Sequence, residues 1–128
     1  MRLLLDTHAL VWWFVDGPQL PPAVKQLIAA PENVVLVSAA SAWEIATKFR
    51  LGKLPSMAPI VGDIEHHVRA EGFHPLIVTM RHAQRAGGLP GPHRDPFDRM
   101  LIAQALEEAC TLISNEAAFD RYAVPRRW

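Results

Sequence analysis

Five acidic residues lie at positions from which their side chains could act on one ligand. Asp6 directly follows a short apolar run, Glu44 lies in the segment after a second apolar run, and Glu116 follows the last one. Asp95 and Asp98 open the most regular amphipathic segment of the chain. Two like charges about 4 Å apart repel each other by about 4 kcal/mol at an effective dielectric of about 20, so clustered carboxylates take up protons or bind a cation. Oxygen ligands favour Mg²⁺ or Mn²⁺, and such a centre suits the hydrolysis of a phosphodiester by water.

Most of these acids also have a purely structural interpretation. Asp6 and Asp95 each precede a predicted helix and are typical N-cap residues. Glu44 stands three residues after Ser41, which is the spacing of a capping box. If Ser38 is the true N-cap, however, Glu44 lies well inside the helix and cannot form that box. The sequence leaves both interpretations open for each acid.

The segments around these acids alternate between strand and helix patterns. Because strand–helix alternation favours a parallel sheet with helices on both faces, we expect a single domain over residues 1–128 with a three-layer α/β/α architecture. Pro75 either weakens the third strand or places it at an edge of the sheet. The predicted strands are 2–5, 34–37, 73–78 and 111–114; the predicted helices are 7–15, 20–30, 38–50, 59–71, a short one after Thr79, 96–109 and a last turn or two from Asn115.

This architecture predicts where the acids point. In a parallel sheet the strands end at one edge, and each helix that leads into a strand begins at that same edge. All five acids therefore project from the carboxyl edge of the sheet. The sequence does not give the order of the strands, so the meeting of these side chains at one place is an inference.

Composition sets broad limits on the protein. Half of the 128 residues are hydrophobic and the formal net charge is zero, which argues mildly against nucleic-acid binding by bulk charge. Ten of the 13 basic residues are arginines, however, and the guanidinium group suits phosphate. We expect Cys110, which lies in an apolar run, to be a buried thiol. No stretch is long and apolar enough for a membrane span or a signal peptide, so we expect a cytoplasmic protein.

The chain resembles the PIN-domain family and, within it, the VapC-like toxins of bacterial toxin–antitoxin pairs. The matching motifs run in family order over nearly the whole chain, and the third is the most specific. They are LLLDTH (3–8), SAWEI (41–45), HRDPFDRMLIAQA (93–105) and LISNE (112–116), followed by Phe119 and Tyr122.

The resemblance implies an endoribonuclease that depends on Mg²⁺, with Mn²⁺ as an alternative, and that cleaves single-stranded or structured RNA. It assigns Asp6, Glu44 and Asp98 to the metal and adds Glu116 as a catalytic acid at a position where the family usually has Asp. Asp95 and Ser114 are supporting residues. It further implies a homodimer and a VapB-like antitoxin as partner.

Several other residues are candidates for substrate or partner contacts. Arg94, Arg99 and Lys48 could contact RNA phosphates, and Arg94 and Arg99 could equally pair with the acids. His8 and His93 adjoin the acids, where capping or surface placement competes with acid–base or metal roles. One of Trp12 and Trp13 could face a partner, since others on that helix must face the core.

Two rival functions remain. A flavodoxin-like phosphoacceptor domain also places acids and Mg²⁺ at this edge, but it would normally have adjacent acids after the first strand and a lysine at a strand end. Here Asp6 stands alone, and none of the lysines (Lys25, Lys48, Lys53) ends a predicted strand. A non-catalytic binding module, in which the acids serve only as caps, is the second rival.

Overall fold

The computed structural model describes residues 1–128 and shows a five-stranded parallel sheet between two layers of helices. The order of the strands is β3-β2-β1-β4-β5, so β1 lies at the centre. Strands β2 and β3 are added on one side of β1, and β4 and β5 on the other. Helices on both faces and an all-parallel sheet confirm the predicted α/β class. The strands are β1 (Arg2–Leu5), β2 (Val34–Ser38), β3 (His74–Leu76), β4 (Thr111–Ile113) and β5 (Arg126–Arg127).

Six helices and three short 3₁₀ segments connect the strands. None of the helices is long and apolar enough to cross a membrane. The helices are α1 (Thr7–Phe14), α2 (Pro22–Ala29), α3 (Ala39–Arg50), α4 (Ile64–Ala70), α5 (Met80–Gly88) and α6 (Pro96–Glu107), and the 3₁₀ segments are Pro55–Met57, Val61–Asp63 and Ala117–Tyr122.

Alternation along the central strands assigns each helix to one face of the sheet. Leu3 and Leu5 point into the core cluster formed with α1 to α4, while Leu4 points into a second cluster formed with α6 and the Ala117–Tyr122 segment. All three leucines have no exposed surface. A strand buried on both faces needs an unbroken apolar run, which is why Leu3-Leu4-Leu5 carries no polar residue.

The N-cap of α3 decides between the two interpretations of Glu44. Ser38 caps this helix, and its Oγ accepts a hydrogen bond from the Ala40 N–H at 3.0 Å. Glu44 consequently lies in the helix interior and does not form a capping box with Ser41. Asp95 caps α6 as predicted, with Pro96 in the first turn.

Two predicted elements are wrong in extent and one strand was missed. The continuous helix predicted over 59–71 is instead a 3₁₀ turn at Val61–Asp63 followed by α4, because Asp63 caps the helix by accepting from the His66 N–H. The strand predicted over 73–78 is reduced to β3, at the sheet edge where Pro75 can be accommodated. The chain tail, which carries no apolar signal, adds β5 beside β4.

Candidate metal centre

Asp6 lies at the carboxyl end of the central strand β1. Its N–H bonds to the carbonyl of Ile113 in β4, and its Oδ1 accepts from the Ala9 N–H at 2.7 Å as the N-cap of α1. The residue is buried, and burial raises the pKa of its carboxyl. Hydrogen bonding by the fully buried Ser114 side chain opposes that rise, whereas the charge of Glu44 adds to it. Asp6 is therefore both a helix cap and a buried acid next to another acid.

Glu44 reaches the same edge from α3. Its side chain is buried, and its Oε2 lies 2.6 Å from the Lys48 Nζ one turn along the helix. This hydrogen bond, together with the charge of Glu44, raises the pKa of Lys48, and the charges of Asp95 and Asp98 raise it further. Lys48 is thus placed as the countercharge of the acids.

A buried hydroxyl pair fixes α1 relative to α3 beside these acids. The Thr7 Oγ1 donates to the Ser41 Oγ at 3.1 Å, and both residues are buried. Thr7 follows Asp6 directly, and Ser41 stands three residues before Glu44 on α3. The bond therefore holds the two helices that carry Asp6 and Glu44.

Asp98 comes from the first turn of α6. Burial raises the pKa of its carboxyl to about 6; the charges of Asp95 and Glu44 add to the rise, and a hydrogen bond with His93 opposes it. The His93 Nε2 lies 2.8 Å from the Asp98 Oδ2. Asp95 is turned to its capping role, with its Oδ1 accepting from the N–H groups of Phe97 and Asp98.

Two side chains, those of Arg99 and Tyr122, hold the loop that carries His93. The guanidinium of Arg99 donates to the carbonyls of Ala86, Leu89 and His93, which ties the end of α5 to the start of α6. The Tyr122 hydroxyl accepts from the His93 N–H at 3.0 Å.

The remaining predicted site residues lie outside this group. Glu116 is exposed after β4, and its link to the centre is its N–H, which donates to the Ser114 Oγ. Arg94 and His8 are exposed, and the His8 ring stacks on Trp12. Three N–H groups of Arg99 donate to the loop carbonyls, which gives this residue a positioning role; its contact with RNA stays a prediction.

Comparisons with known proteins match the whole architecture. The family model of the PIN domain matches residues 3–125. The chain belongs to the PIN-domain family. This confirms the resemblance drawn from the motifs.

Two curated relatives of this PIN domain come from Mycobacterium tuberculosis. Ribonuclease VapC22 is 27% identical over 127 residues, covering 97% of this chain and 94% of the relative. Ribonuclease VapC16 is 41% identical over 68 residues, covering 52% of this chain and 48% of the relative.

Solved structures share the fold at low identity. The structure of VapBC2 from Rickettsia felis bound to a DNA fragment from its promoter aligns with a TM-score of 0.74 and 18% identity, over 100% of this chain and 99% of that one. The FitAcB structure from Neisseria gonorrhoeae aligns with a TM-score of 0.66 and 18% identity, over 97% of this chain and 95% of that one. At this identity they establish the fold of the PIN domain.

The donor set of this PIN domain fits a hard divalent cation. Asp6, Glu44 and Asp98 offer only carboxylate oxygens; burial raises the pKa of Asp6 and Asp98, and the charge of Glu44 adds to both rises. No three acid, imidazole or thiol groups stand in a ready-made ligand arrangement. Lys48 and His93 engage two of the carboxylates, so a cation would have to share or replace those contacts.

The sequence singled out the acids and several residues near them, but it did not predict most of the contacts that hold them. The Lys48–Glu44 pair has the helical spacing of four residues, so the sequence could have revealed it. The contacts of His93 with Tyr122 and of Thr7 with Ser41 join residues 29 and 34 positions apart. No local pattern in the PIN domain predicts them, since they depend on the path of the chain.

Proposed function

We propose that this PIN domain is a Mg²⁺-dependent endoribonuclease and the toxin of a VapBC-type toxin–antitoxin pair. One observation carries the proposal: carboxylates from three separate elements, the buried Asp6 and Glu44 and the partly buried Asp98, approach the same edge of the sheet, where burial and the charge of Glu44 raise the pKa of Asp6 and Asp98. Capping explains Asp6 but not Glu44 in the helix interior, and the cost of gathering like charges is offset when a cation binds. The curated relatives named Ribonuclease VapC support the choice of RNA as substrate.

Asp6, Glu44 and Asp98 would hold the ion, with Mn²⁺ as an alternative to Mg²⁺. When bound, the metal supplies a Lewis acid and lowers the pKa of water at a phosphodiester. The protein's own residues orient the carboxylates: Ser114 at Asp6, Lys48 at Glu44 and His93 at Asp98. Asp95 holds the first turn of α6 that presents Asp98.

The cationic groups of the chain divide into two roles in this proposal. Arg94 is exposed, directly before Asp95 and four residues before Asp98 in the chain, and we assign it to RNA phosphate. Lys48 neutralises Glu44 and contacts phosphate once a cation takes over that role. Glu116 supports the site from its exposed turn rather than from the buried group of acids.

The partners in the proposal follow the relatives of known structure. The structures from Rickettsia felis and Salmonella typhimurium contain VapBC assemblies with DNA. We propose by analogy that a VapB-like antitoxin binds and silences this chain, and that the chain forms a homodimer. Purification with and without a co-expressed antitoxin from the same operon tests the first part, and light scattering tests the second.

The decisive experiment maps new RNA ends after purified protein is incubated with total RNA. We expect discrete cuts with Mg²⁺ or Mn²⁺, none with EDTA, and none with the Asp6→Asn, Asp98→Asn double variant in Mg²⁺. Asparagine keeps the capping oxygen at Asp6, so the double variant should stay folded. Full cleavage by the folded double variant contradicts the assignment of the acids.

The same preparations separate the rival functions. If the protein is a binding module whose acids are only caps, Mg²⁺ does not raise its melting temperature by an amount that depends on Asp98. If the acids form a metal centre, Mg²⁺ does so. A phosphoacceptor domain takes up phosphate from a small phosphodonor such as acetyl phosphate, and we expect no such uptake here.

A further inference from the structure

Trp43 is an exposed aromatic ring beside the candidate metal centre. It directly precedes Glu44 on α3, yet 67% of its surface is exposed while Glu44 is buried. Its ring lies 5.0 Å from that of Phe97, with an angle of 78° between the two planes. Phe97 directly precedes Asp98 on α6. The two rings therefore join the two helices that bring Glu44 and Asp98 to the site.

This aromatic pair does not belong to the core of the protein. Neither Trp43 nor Phe97 is part of either buried apolar cluster or packs against one. The large aromatic side chains of α1 behave differently, since Trp12, Trp13 and Phe14 all pack against the larger cluster. Burial of apolar surface consequently does not explain why a tryptophan stands at position 43.

The geometry of the pair leaves the indole free to bind. An edge-to-face contact covers at most one face of the Trp43 ring, and the Phe97 contact restrains the ring's orientation. Proteins recognise unpaired nucleotides chiefly by stacking their bases on such aromatic rings, while the backbone follows cationic groups. Lys48 supplies such a group one turn along the same helix from Glu44.

We propose that Trp43 is a substrate-positioning residue on which one base of a single-stranded RNA stacks next to the phosphate to be cleaved. The inference rests on the proposed ribonuclease function, and it adds a residue that holds the RNA and the way in which it does so. Stacking tolerates every base because each has a π face, so Trp43 would favour unpaired RNA over duplex without dictating sequence.

The test compares Trp43→Ala with Trp43→Phe. The RNA is a synthetic single strand that spans one of the cuts mapped in total RNA, and binding is measured in the Asp6→Asn background with Mg²⁺ to prevent cleavage. We expect Trp43→Ala to weaken binding and raise KM by roughly 5- to 100-fold, the range that base–aromatic stacking allows. Trp43→Phe should retain most of the affinity, and the cleavage rate at saturating RNA should change little in either variant.

Substrates that lack one base identify the partner of the ring. Abasic residues are placed one at a time on both sides of the cut. An abasic residue at one position should weaken binding to the protein that carries Trp43. The same abasic residue should not weaken binding to Trp43→Ala any further, which is the result of a double-mutant cycle for two groups in contact. Leu51→Ala is the matched control, because Leu51 is an exposed apolar residue at the C-terminal end of the same helix. It should bind RNA normally.

The outcomes separate this inference from the proposed function. If the unmodified protein cleaves RNA and Trp43→Ala cleaves with the same KM, Trp43 does not stack a base and the inference is wrong. If the protein binds RNA through Trp43 but never cleaves it, the nuclease function is wrong and the stacking role stands. If Trp43→Ala changes the oligomeric state in light scattering while RNA binding by the folded chain is unaltered, the ring belongs to an interface between copies and the inference is also overturned.

Discussion

The protein contains two buried polar clusters that differ in how their charges are balanced. The first lies between α5 and α6 around His82, whose side chain is almost wholly buried. Its Nδ1 accepts from the Thr79 N–H at 3.1 Å, so the proton resides on Nε2, which lies 2.8 Å from the Glu108 Oε1. Gln104 completes the group by donating to the Ile77 carbonyl, and only its own Oε1 has no partner. This cluster uses nearly all of its bonds internally.

The candidate metal centre shows the opposite balance. Burial and the charges of neighbouring acids raise the pKa of Asp6 and Asp98, and the side chains in contact with the acids are Lys48 at Glu44 and His93 at Asp98. A cluster that is satisfied internally stabilises the fold, whereas one with excess like charge is poised for a ligand. The contrast predicts that substitutions in the first cluster affect stability and that substitutions in the second affect activity.

The largest expected effect is the loss of activity in Asp6→Asn. Asparagine retains the cap of α1 but removes a charge from the cation site, so we expect RNA cleavage to fall by about 100- to 1000-fold. The unfolding free energy should stay the same or rise, because a buried like charge is removed. Initial rates and urea denaturation of the same preparation check both parts. A marked loss of stability would mean that Asp6 is chiefly a structural residue.

His82→Ala should show the reverse behaviour. It leaves the Thr79 N–H and Glu108 without their buried partner and opens a cavity, so we expect it to lower the unfolding free energy by about 2–4 kcal/mol. Cleavage per folded molecule should be unchanged at a temperature where the variant is folded. A loss of cleavage in the folded variant would show that the two clusters are coupled.

The pKa of Asp98 predicts how pH acts on the metal-free protein. This pKa is about 6 in the folded chain and about 3.9 in an unfolded one. Folding therefore favours the protonated form, and the stability that Asp98 contributes is present at low pH and lost as pH rises through about 6. In EDTA we expect the unfolding free energy to fall by about 2 kcal/mol between about pH 4 and pH 7 from this group.

Asp98→Asn is the control for that pH dependence. Urea denaturation measures the unfolding free energies of the two proteins. Their difference should become small near pH 4 and grow toward pH 7, with the variant the more stable. Mg²⁺ should stabilise the parent protein at pH 7.5 more than the variant. A difference that stays constant with pH would contradict the raised pKa.

The smallest effects separate the two arginines of the 93–99 segment. Arg99→Lys loses the planar set of donors to three carbonyls, so we expect a loss of about 1–2 kcal/mol in stability with little effect on the salt dependence of RNA binding. Arg94→Gln should keep full stability and lower the slope of binding against salt by about 0.7, the value for one phosphate contact on a single strand. Equal salt slopes for Arg94→Gln and the parent would remove Arg94 from the RNA path.

The sequence predicted the parts of the protein that local patterns determine. The apolar runs at Leu3-Leu4-Leu5 and Val34–Val37 and the cap at Asp95 follow from residue type and spacing alone, whereas the choice of Ser38 over Ser41 as the cap of α3 does not. Strand order could not be predicted, because nothing local shows that β4 inserts beside β1. The two-residue β5 could not be predicted either. Arg126 and Arg127 join the sheet through backbone hydrogen bonds, which leave no apolar pattern in the sequence. In the site the acids were predictable from their places after a strand or within helices that begin at the carboxyl edge, whereas their partners across the fold were not.

The position of β4 has a consequence for the time at which the protein acquires activity. This strand pairs directly with β1 and brings Ser114 to Asp6, yet it belongs to the last fifth of the chain. Tyr122, which holds the loop of His93, comes later still. A ribosome that is still translating the first hundred codons therefore carries a nascent chain without an assembled centre. The proposed nuclease cannot attack RNA, including the messenger that encodes it, until β4 and Tyr122 have been synthesised.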